Sequence, residues 1–385
     1  MLLGGLAHEG GAITERCSPH RTFRNGGLRC ANPPYVWHFL LTEQIDPTIP
    51  TASRLSRWLE RALAFNQRYP WLLPLLSFAA GWLSFALVQR GEHLSRLIAA
   101  LTLLGWIALL AEDFLGNWVA RVTRGRLSEN LVHFATQSLQ IEILFFALPF
   151  LIAATHDDAG QIIFTGAAII AAVGCTVDPL YTSRIAGTAA RSVAFHAFCS
   201  FLAGLVVLPI ALQLPLEKAV PLSLALTAVL TLLCVPRLFR GASRLRGCLR
   251  ISVLLAVLAV VWFARSHIPP AGLVVKQSVI TATVSDDLQP GAELKTISAA
   301  DLANGIDAFV SVHAPLGLAQ SVRFEWIHES ELLDNIPATI KGGRAEGFRT
   351  YSRKQNFPLE SRGRWTVNLR TPDGQLIARM NFRVS

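Results

Sequence analysis

Two groups of residues in this chain have types and spacing that could do chemistry. The first is a run of cations near the C-terminal end: Lys341, Arg344, Arg349, Arg353, Lys354, Arg362 and Arg364, opposed in that stretch only by Glu346 and Glu360. Alternation counted from Phe348 puts Arg349, Tyr351 and Arg353 on one face of a strand, two guanidinium groups with a phenol between them. Such a ladder suits carboxylate or phosphate, to which arginine offers a bidentate fork. We take Lys341, Arg344, Arg349, Tyr351, Arg353 and Lys354 as the candidate site for an anion or an acidic partner. The competing account is a solvated strand face whose charge guards an edge against aggregation. Lys341-Gly342-Gly343-Arg344 reads as a hairpin turn and not a phosphate loop, because no helix follows it. The second group, Gln140, Glu142 and His196, lies inside apolar runs. An ionisable side chain there is a functional-site hypothesis by default. A proton or ion path needs several such groups in register, and a polar pair holding helices together is the competing account.

Neither group is a catalytic constellation. The sequence has no GxSxG elbow, no HExxH helix and no phosphate loop, and His313 and His328 have no matching nucleophile at a recognisable spacing. Cys17, His20, Cys30 and His38 could be set out as four zinc ligands, but beyond the CxxH pair the spacing is irregular for a finger. We expect no enzyme and no resident metal or cofactor.

The elements that must position these groups are of two kinds. Residues 1–52 lack periodicity and read as a disordered leader. Over 53–68, Leu55, Trp58, Leu59, Ala62 and Phe65 share one helical face among four arginines, a basic amphipathic segment suited to an anionic membrane surface. Residues 69–268 are a helical membrane domain: 52% of the chain is hydrophobic and 16% charged, with a mean hydropathy of +0.41, which excludes an ordinary soluble protein. Seven apolar runs follow one another, Trp71–Val88, Leu94–Leu115, Ser138–Thr155, Ile162–Val177, Ser192–Leu212, Ala219–Val235 and Ile251–Ala264. A spanning helix needs about 20 residues. The second run must therefore place Glu112 and Asp113 at its inner end, and the fourteen-residue last run needs Arg250 and Arg265 to snorkel to opposite surfaces.

Lys and Arg beside the span ends number fourteen on one side and five on the other, and the bias alternates loop by loop. The positive-inside rule then puts the N-terminus in the cytoplasm and everything after Ala264 outside. A net charge of +9 is accounted for in this way, and no nucleic acid is expected, since the C-terminal region lacks an aromatic platform flanked by basic residues.

Beyond Pro269-Pro270 the pattern changes to strict alternation. Val322, Phe324 and Trp326, then Trp365, Val367 and Leu369, then Ala378, Met380, Phe382 and Val384 each mark one face of a strand. Turn signals sit at Ala314-Pro315-Leu316-Gly317, Lys341-Gly342-Gly343, Phe357-Pro358 and Pro372-Asp373-Gly374. Residues 269–307 read as a linker with a first strand, Leu273–Val284, and a polar connector in which Ser298–Asn304 makes a helical turn. Residues 308–385 read as a β-sandwich-like module, about seven short strands in all. No cysteine follows Cys248, so this module must fold without disulfides.

At this module the chain resembles a known family. Ala314-Pro315-Leu316-Gly317-Leu318, the stretch from Lys341-Gly342-Gly343-Arg344 through Phe348-Arg349-Thr350-Tyr351-Ser352-Arg353-Lys354, Gly363-Arg364-Trp365 and Asp373-Gly374-Gln375-Leu376-Ile377 are similar to the bacterial domain of unknown function twenty-nine-fourteen. Upstream, Arg68-Tyr69-Pro70-Trp71-Leu72-Leu73-Pro74, Leu144-Phe145-Phe146-Ala147-Leu148-Pro149-Phe150 and Asp178-Pro179-Leu180-Tyr181 resemble the domain of unknown function fifty-nine-twenty-four, a membrane region that often precedes it. The resemblance spans roughly residues 68 to 385; it implies the domain boundaries and no reaction.

The expected molecule is a multi-pass α-helical membrane bundle of about seven spans followed by a small all-β, sandwich-like exterior domain. We expect it in a bacterial inner membrane, with a cytoplasmic N-terminus and a periplasmic C-terminal domain. Its expected role is cell-envelope binding or scaffolding, the β domain meeting an anionic glycan, an anionic lipid or a protein partner while membrane lipids surround the bundle. The competing class is a transporter or channel using Glu142 and His196.

Overall fold

The computed structural model describes residues 68–69, 71–89, 129–239, 243–344 and 346–385. The expected leader, the amphipathic segment up to residue 67, the run Leu94–Leu115 with Glu112 and Asp113, and the Cys17, His20, Cys30 and His38 set lie outside the described residues. The helices are α1 (Leu72–Gln89), α2 (Glu129–Ala154), α3 (Ala159–Thr176), α4 (Ala189–Leu212), α5 (Leu216–Leu233), the short α6 (Val235–Phe239) and α7 (Arg244–Phe263). Three of them start where an oxygen-bearing side chain takes an orphan N–H: Asp158 from Gln161, Thr188 from Arg191 and Ser243 from Arg246. Among the described residues, α2, α3, α4, α5 and α7 are long and apolar enough to cross a membrane, whereas the apolar run of α1, Leu72–Leu87, is shorter.

The last of these differs from the expectation in an instructive way. Ile251–Ala264 is the apolar part of a longer helix, because α7 starts at Arg244 and runs for 20 residues. At 1.5 Å per residue that is about 30 Å, a hydrocarbon thickness. The missing length is supplied by arginine-bearing turns, with Arg250 Nη1 donating to the Leu238 carbonyl at 2.8 Å.

Side-chain burial separates the helices. Leu144 and Leu151 of α2 and Leu202 and Leu205 of α4 are fully buried. Two glycines bring backbones together: a Cβ on Gly81 would lie 2.1 Å from the Phe145 carbonyl oxygen, and one on Gly204 would lie 2.8 Å from Ser223 Oγ. α7 is different, since only 6% of its apolar window is buried, against 72% for α4.

The C-terminal part forms two sheets. The strands are β1 (Val274–Thr281), β2 (Thr296–Ile297), β3 (Ile306–His313), β4 (Ala319–His328), β5 (Glu331–Lys341), β6 (Phe348–Lys354), β7 (Gly363–Arg370) and β8 (Leu376–Val384). One sheet has the order β1-β3-β6 and the other β2-β8-β7-β4-β5, with only β2–β8 parallel. The inward faces are those the alternation marks: Phe324, Trp326, Trp365, Val367, Leu369 and Phe382 share one core with Ile280, Val310 and Val312 of the other sheet. Both buried indoles are satisfied, Trp326 Nε1 by Ser352 Oγ at 3.1 Å and Trp365 Nε1 by the Ser361 carbonyl at 2.8 Å.

Two features depart from the sequence reading. β1 pairs with β3 from Val274↔His313 to Thr281↔Asp307, and Leu273, Ile297 and Leu302 join the β core. Thus the segment 269–307 is largely part of the β domain, which begins at Leu273. β3 itself shows no usable alternation because all eight of its residues are buried. The expected helical turn is a 3-10 turn at Asp301–Asn304.

Three fully buried glutamines join the β domain to the helices. Gln161 Nε2 donates to the Leu376 carbonyl at 2.9 Å, the Leu216 N–H donates to Gln320 Oε1 at 2.8 Å, and Gln375 Nε2 donates to the Ile268 carbonyl at 3.0 Å. Around them Arg379 Nη1 reaches the Asp157 carbonyl at 2.6 Å, Arg265 pairs with Asp373 at 3.4 Å and His267 with Asp158 at 3.1 Å. The β domain is therefore seated on the α2–α3 and α4–α5 connections and on the end of α7. The opposite ends of these helices carry Arg184, Arg191, Arg244, Arg246 and Arg250.

Candidate functional site

The ladder read from the sequence exists in outline on β6, an edge strand. Arg349, Tyr351 and Arg353 do face outward together, with Tyr351 44% exposed. Both arginines, however, already hold acids. Arg349 Nη2 donates to Glu346 Oε2 at 3.0 Å, while Arg353 donates to Asp307 Oδ2 at 3.0 Å and to the Asn304 carbonyl at 2.8 Å. Asp307 stands directly opposite Arg353 on β3, one pair from the end of that ladder, and its side chain is buried. Burial pushes the Asp307 carboxyl above its ordinary range, and the adjacent Arg353 charge pulls it part of the way back.

The other members of the group scatter. Lys354 turns inward with Ser352, is 6% exposed, pairs with Asp334, and lies 5.5 Å from the Phe357 ring centre and 6.0 Å from that of Trp365. The same alternation that aligns Arg349 with Arg353 forces residue 354 to the core, so it does not belong to an exterior site. Lys341 is exposed at the end of β5, and Arg344 stacks its guanidinium 5.6 Å from the Phe348 ring centre.

The intramembrane group also divides. Gln140 is buried and accepts a 2.9 Å hydrogen bond from the Tyr181 hydroxyl, which leaves a π-helical turn at Tyr181–Ile185. Glu142 is two residues further, about 200° around the helix axis, and lies on the exposed side of α2 with no ion pair or hydrogen bond to another described residue. His196 is half-buried on α4. Gln140 and Glu142 therefore face opposite ways. At the same end of the bundle, Gln137 Nε2 bonds both Asp178 Oδ1 and the Cys175 carbonyl, a helix-to-turn clamp.

A basic surface that the sequence reading did not assemble lies on the outward rows of β7 and β8. Their register sets Arg364 opposite Arg383, Thr366 opposite Asn381 and Asn368 opposite Arg379. With Lys295 these residues line an open cavity of about 820 Å³. Arg379 is held by Asn368 at 3.0 Å and by the Asp157 carbonyl, and Thr366 donates to Asn381 at 2.9 Å. Arg364 and Arg383 are exposed like charges directly across a strand pair, and neither has an acidic partner among the described residues. Glu329, the acid among the lining residues, has its Oε1 taken by the Arg364 backbone N–H at 2.6 Å. Two rows nearer the bundle, where Glu325 stands opposite Asn368, the pattern is conventional: Glu325 pairs with Arg370 at 3.1 Å and with Arg323 at 3.5 Å. The signal was present in the sequence, because the Pro372-Asp373-Gly374 turn makes β7 and β8 a hairpin and its centre fixes 364 against 383.

Apolar helices of spanning length seated under a C-terminal two-sheet domain define a membrane protein with a β domain at its end. The chain belongs to the family of unknown function DUF5924, whose model matches residues 52–308. Residues 319–384 match the protein family of unknown function DUF2914. No curated protein matches the chain. The two matched segments meet inside the β domain: β1 and β2 fall in the first, β4 to β8 in the second, and β3 begins within the first and ends between them.

Proposed function

We propose that this protein is a bacterial inner-membrane binding or scaffolding protein. About seven spans hold it with the N-terminus in the cytoplasm, and its β domain stands in the periplasm to meet an anionic ligand. The observation that carries the reading is the seating of the β domain. It rests on the connections Thr155–Asp158 and Gln213–Pro215, which contain no Lys or Arg, while the opposite helix ends carry the arginine clusters. Under the positive-inside rule the arginine-rich ends face the cytoplasm and the β domain faces outward. Alternation from α2 through α7 agrees with this, each successive long helix reversing direction.

The β domain carries cationic side chains on its β7–β8 face and on β6, which favours recognition by charge. The transporter alternative would bring Glu142 and His196 together, whereas Glu142 lies on the exposed side of α2 with no bond to another described residue. Fusions at Ser385 test the proposal: a phosphatase that matures only in an oxidising compartment should be active, and a reporter that fluoresces only in the cytosol should be dark. The reverse pattern overturns it.

A further inference from the structure

The geometry points to the β7–β8 face as a binding site for an acidic glycan, a chain of hydroxyl-rich sugars bearing carboxylate or phosphate groups. This deepens the proposed envelope role and rests on it for the ligand's whereabouts. The first observation is the uncompensated pair. Opposite charges normally face each other across strands, and like charges placed directly opposite destabilise the sheet. Arg364 and Arg383 violate this with neither guanidinium paired to an acid among the described residues, Glu329 being turned to the Arg364 backbone N–H, whereas Glu325 repairs the equivalent problem near Arg323 and Arg370. A local rule broken on one sheet face and obeyed a few residues away is what a binding function imposes on stability.

The second observation is what lies beside the pair. Thr366 and Asn381 occupy the next row and are bonded to each other through the Asn381 carbonyl oxygen, which leaves the Asn381 amide N–H groups turned to a sugar hydroxyl or ring oxygen. Lys295 and Arg379 extend the positive surface on either side. Cation, amide, hydroxyl and cation in sequence match an acidic sugar chain better than a bare polyanion, which would use charge alone.

The third observation is distance from the bilayer. Arg379 touches Asp157 at the seam, and Arg383 lies four residues further along β8, about 13 Å at strand rise. The like-charge pair therefore stands away from the helix ends. On the proposed orientation the lipid headgroups lie toward the Arg379 end of this face, and the like-charge pair lies toward the aqueous phase.

The test uses the full chain in phosphatidylcholine nanodiscs, titrated with a fluorescent polygalacturonate oligomer, with neutral dextran and with inorganic polyphosphate. Saturable polygalacturonate binding is expected, weakening as salt rises, with neutral dextran inert and polyphosphate weaker. The double variant Arg364→Gln, Arg383→Gln should lose binding at least tenfold, and Arg349→Gln with Arg353→Gln less than twofold. Without ligand, the first double variant should melt higher than the parent, by about 1–3 °C, because it relieves the repulsion. Unaltered affinity in that variant, polyphosphate binding as tightly as polygalacturonate, or a lower melting point would each overturn the assignment. Capture that persists in the double variant while the Ser385 phosphatase stays active removes this groove and leaves the envelope role standing. A silent phosphatase removes that role whatever the groove binds.

Discussion

The β domain has two polar ends that follow opposite rules. At the seam with the helices, polar groups are buried and paired: Gln161, Gln320 and Gln375 are fully enclosed and each amide meets a backbone group. At the far end of β7 and β8, polar groups are exposed and left with like-charged neighbours. Buried amides without partners cost more than their hydrogen bonds return, so the seam tolerates no omission. Exposed cations are screened by water, so the far end can carry a like-charge mismatch of about 0.2–0.5 kcal/mol. Paired burial holds one end, and the other is left open to the proposed ligand.

The largest effect should come from breaking the seam. Gln161→Leu removes the partner of the Leu376 carbonyl and Gln320→Leu that of the Leu216 N–H, each leaving a buried backbone group unmet. About 1–3 kcal/mol is expected for each. Hydrogen exchange should report it first at Leu216 and along β8, with α4 unchanged. Uniform protection in both variants would show that the glutamines fill space and do not bind.

A smaller loss is expected at Arg353→Gln, which leaves the buried Asp307 carboxylate facing Asn304 and an amide. The parent pair is part-exposed, so the loss should be about 1–2 kcal/mol, below that of a fully enclosed ion pair. Adding Asp307→Asn should recover most of it, because the carboxyl already resists ionising. A double variant no more stable than Arg353→Gln alone would count against the pairing.

Acid should weaken the seam and spare the outer face. Burial holds the His156 imidazole below its ordinary 6.5, so its contribution is complete above that pH and is lost as pH falls toward the folded value. For Asp158, burial alone would raise the carboxyl, but the hydrogen bond and charge of His267 and the N–H groups of Gln161 and Gly160 outweigh it and keep it below 3.8. That contribution is present above 3.8 and disappears as pH falls through the depressed value. Melting points should drop in two stages on acidification, the first below about pH 6.5. His156→Gln should abolish that first stage and leave the second, and a profile unchanged by it would assign the titration elsewhere.

How much of this was legible follows from what each signal requires. Hydropathy needs only composition, so α2 to α5 were readable, and α7 was underestimated because arginines complete it. Alternation needs one wet face, which β4, β7 and β8 have and β3 does not, its residues being buried throughout. The β6 ladder was visible as spacing, but its neutralisation was not: Asp307 is 46 residues from Arg353. The Arg364–Arg383 pair was within reach, since one turn fixes the hairpin register, but charge counted along the chain draws the eye to the dense run at 341–364.

The smallest expected effect is also the sharpest divider between the two ends. Arg383→Gln, measured without ligand, should raise stability by about 0.2–0.5 kcal/mol, since it removes one of two like charges at a directly opposed position. The gain should shrink as salt screens the repulsion, over a range set by a Debye length near 10 Å at 0.1 M. A single variant that stabilises at low salt and is neutral at high salt identifies strain carried by charge. If Arg383→Gln instead destabilises at every ionic strength, its aliphatic stem packs against the sheet, and the outer face obeys the same rule as the seam.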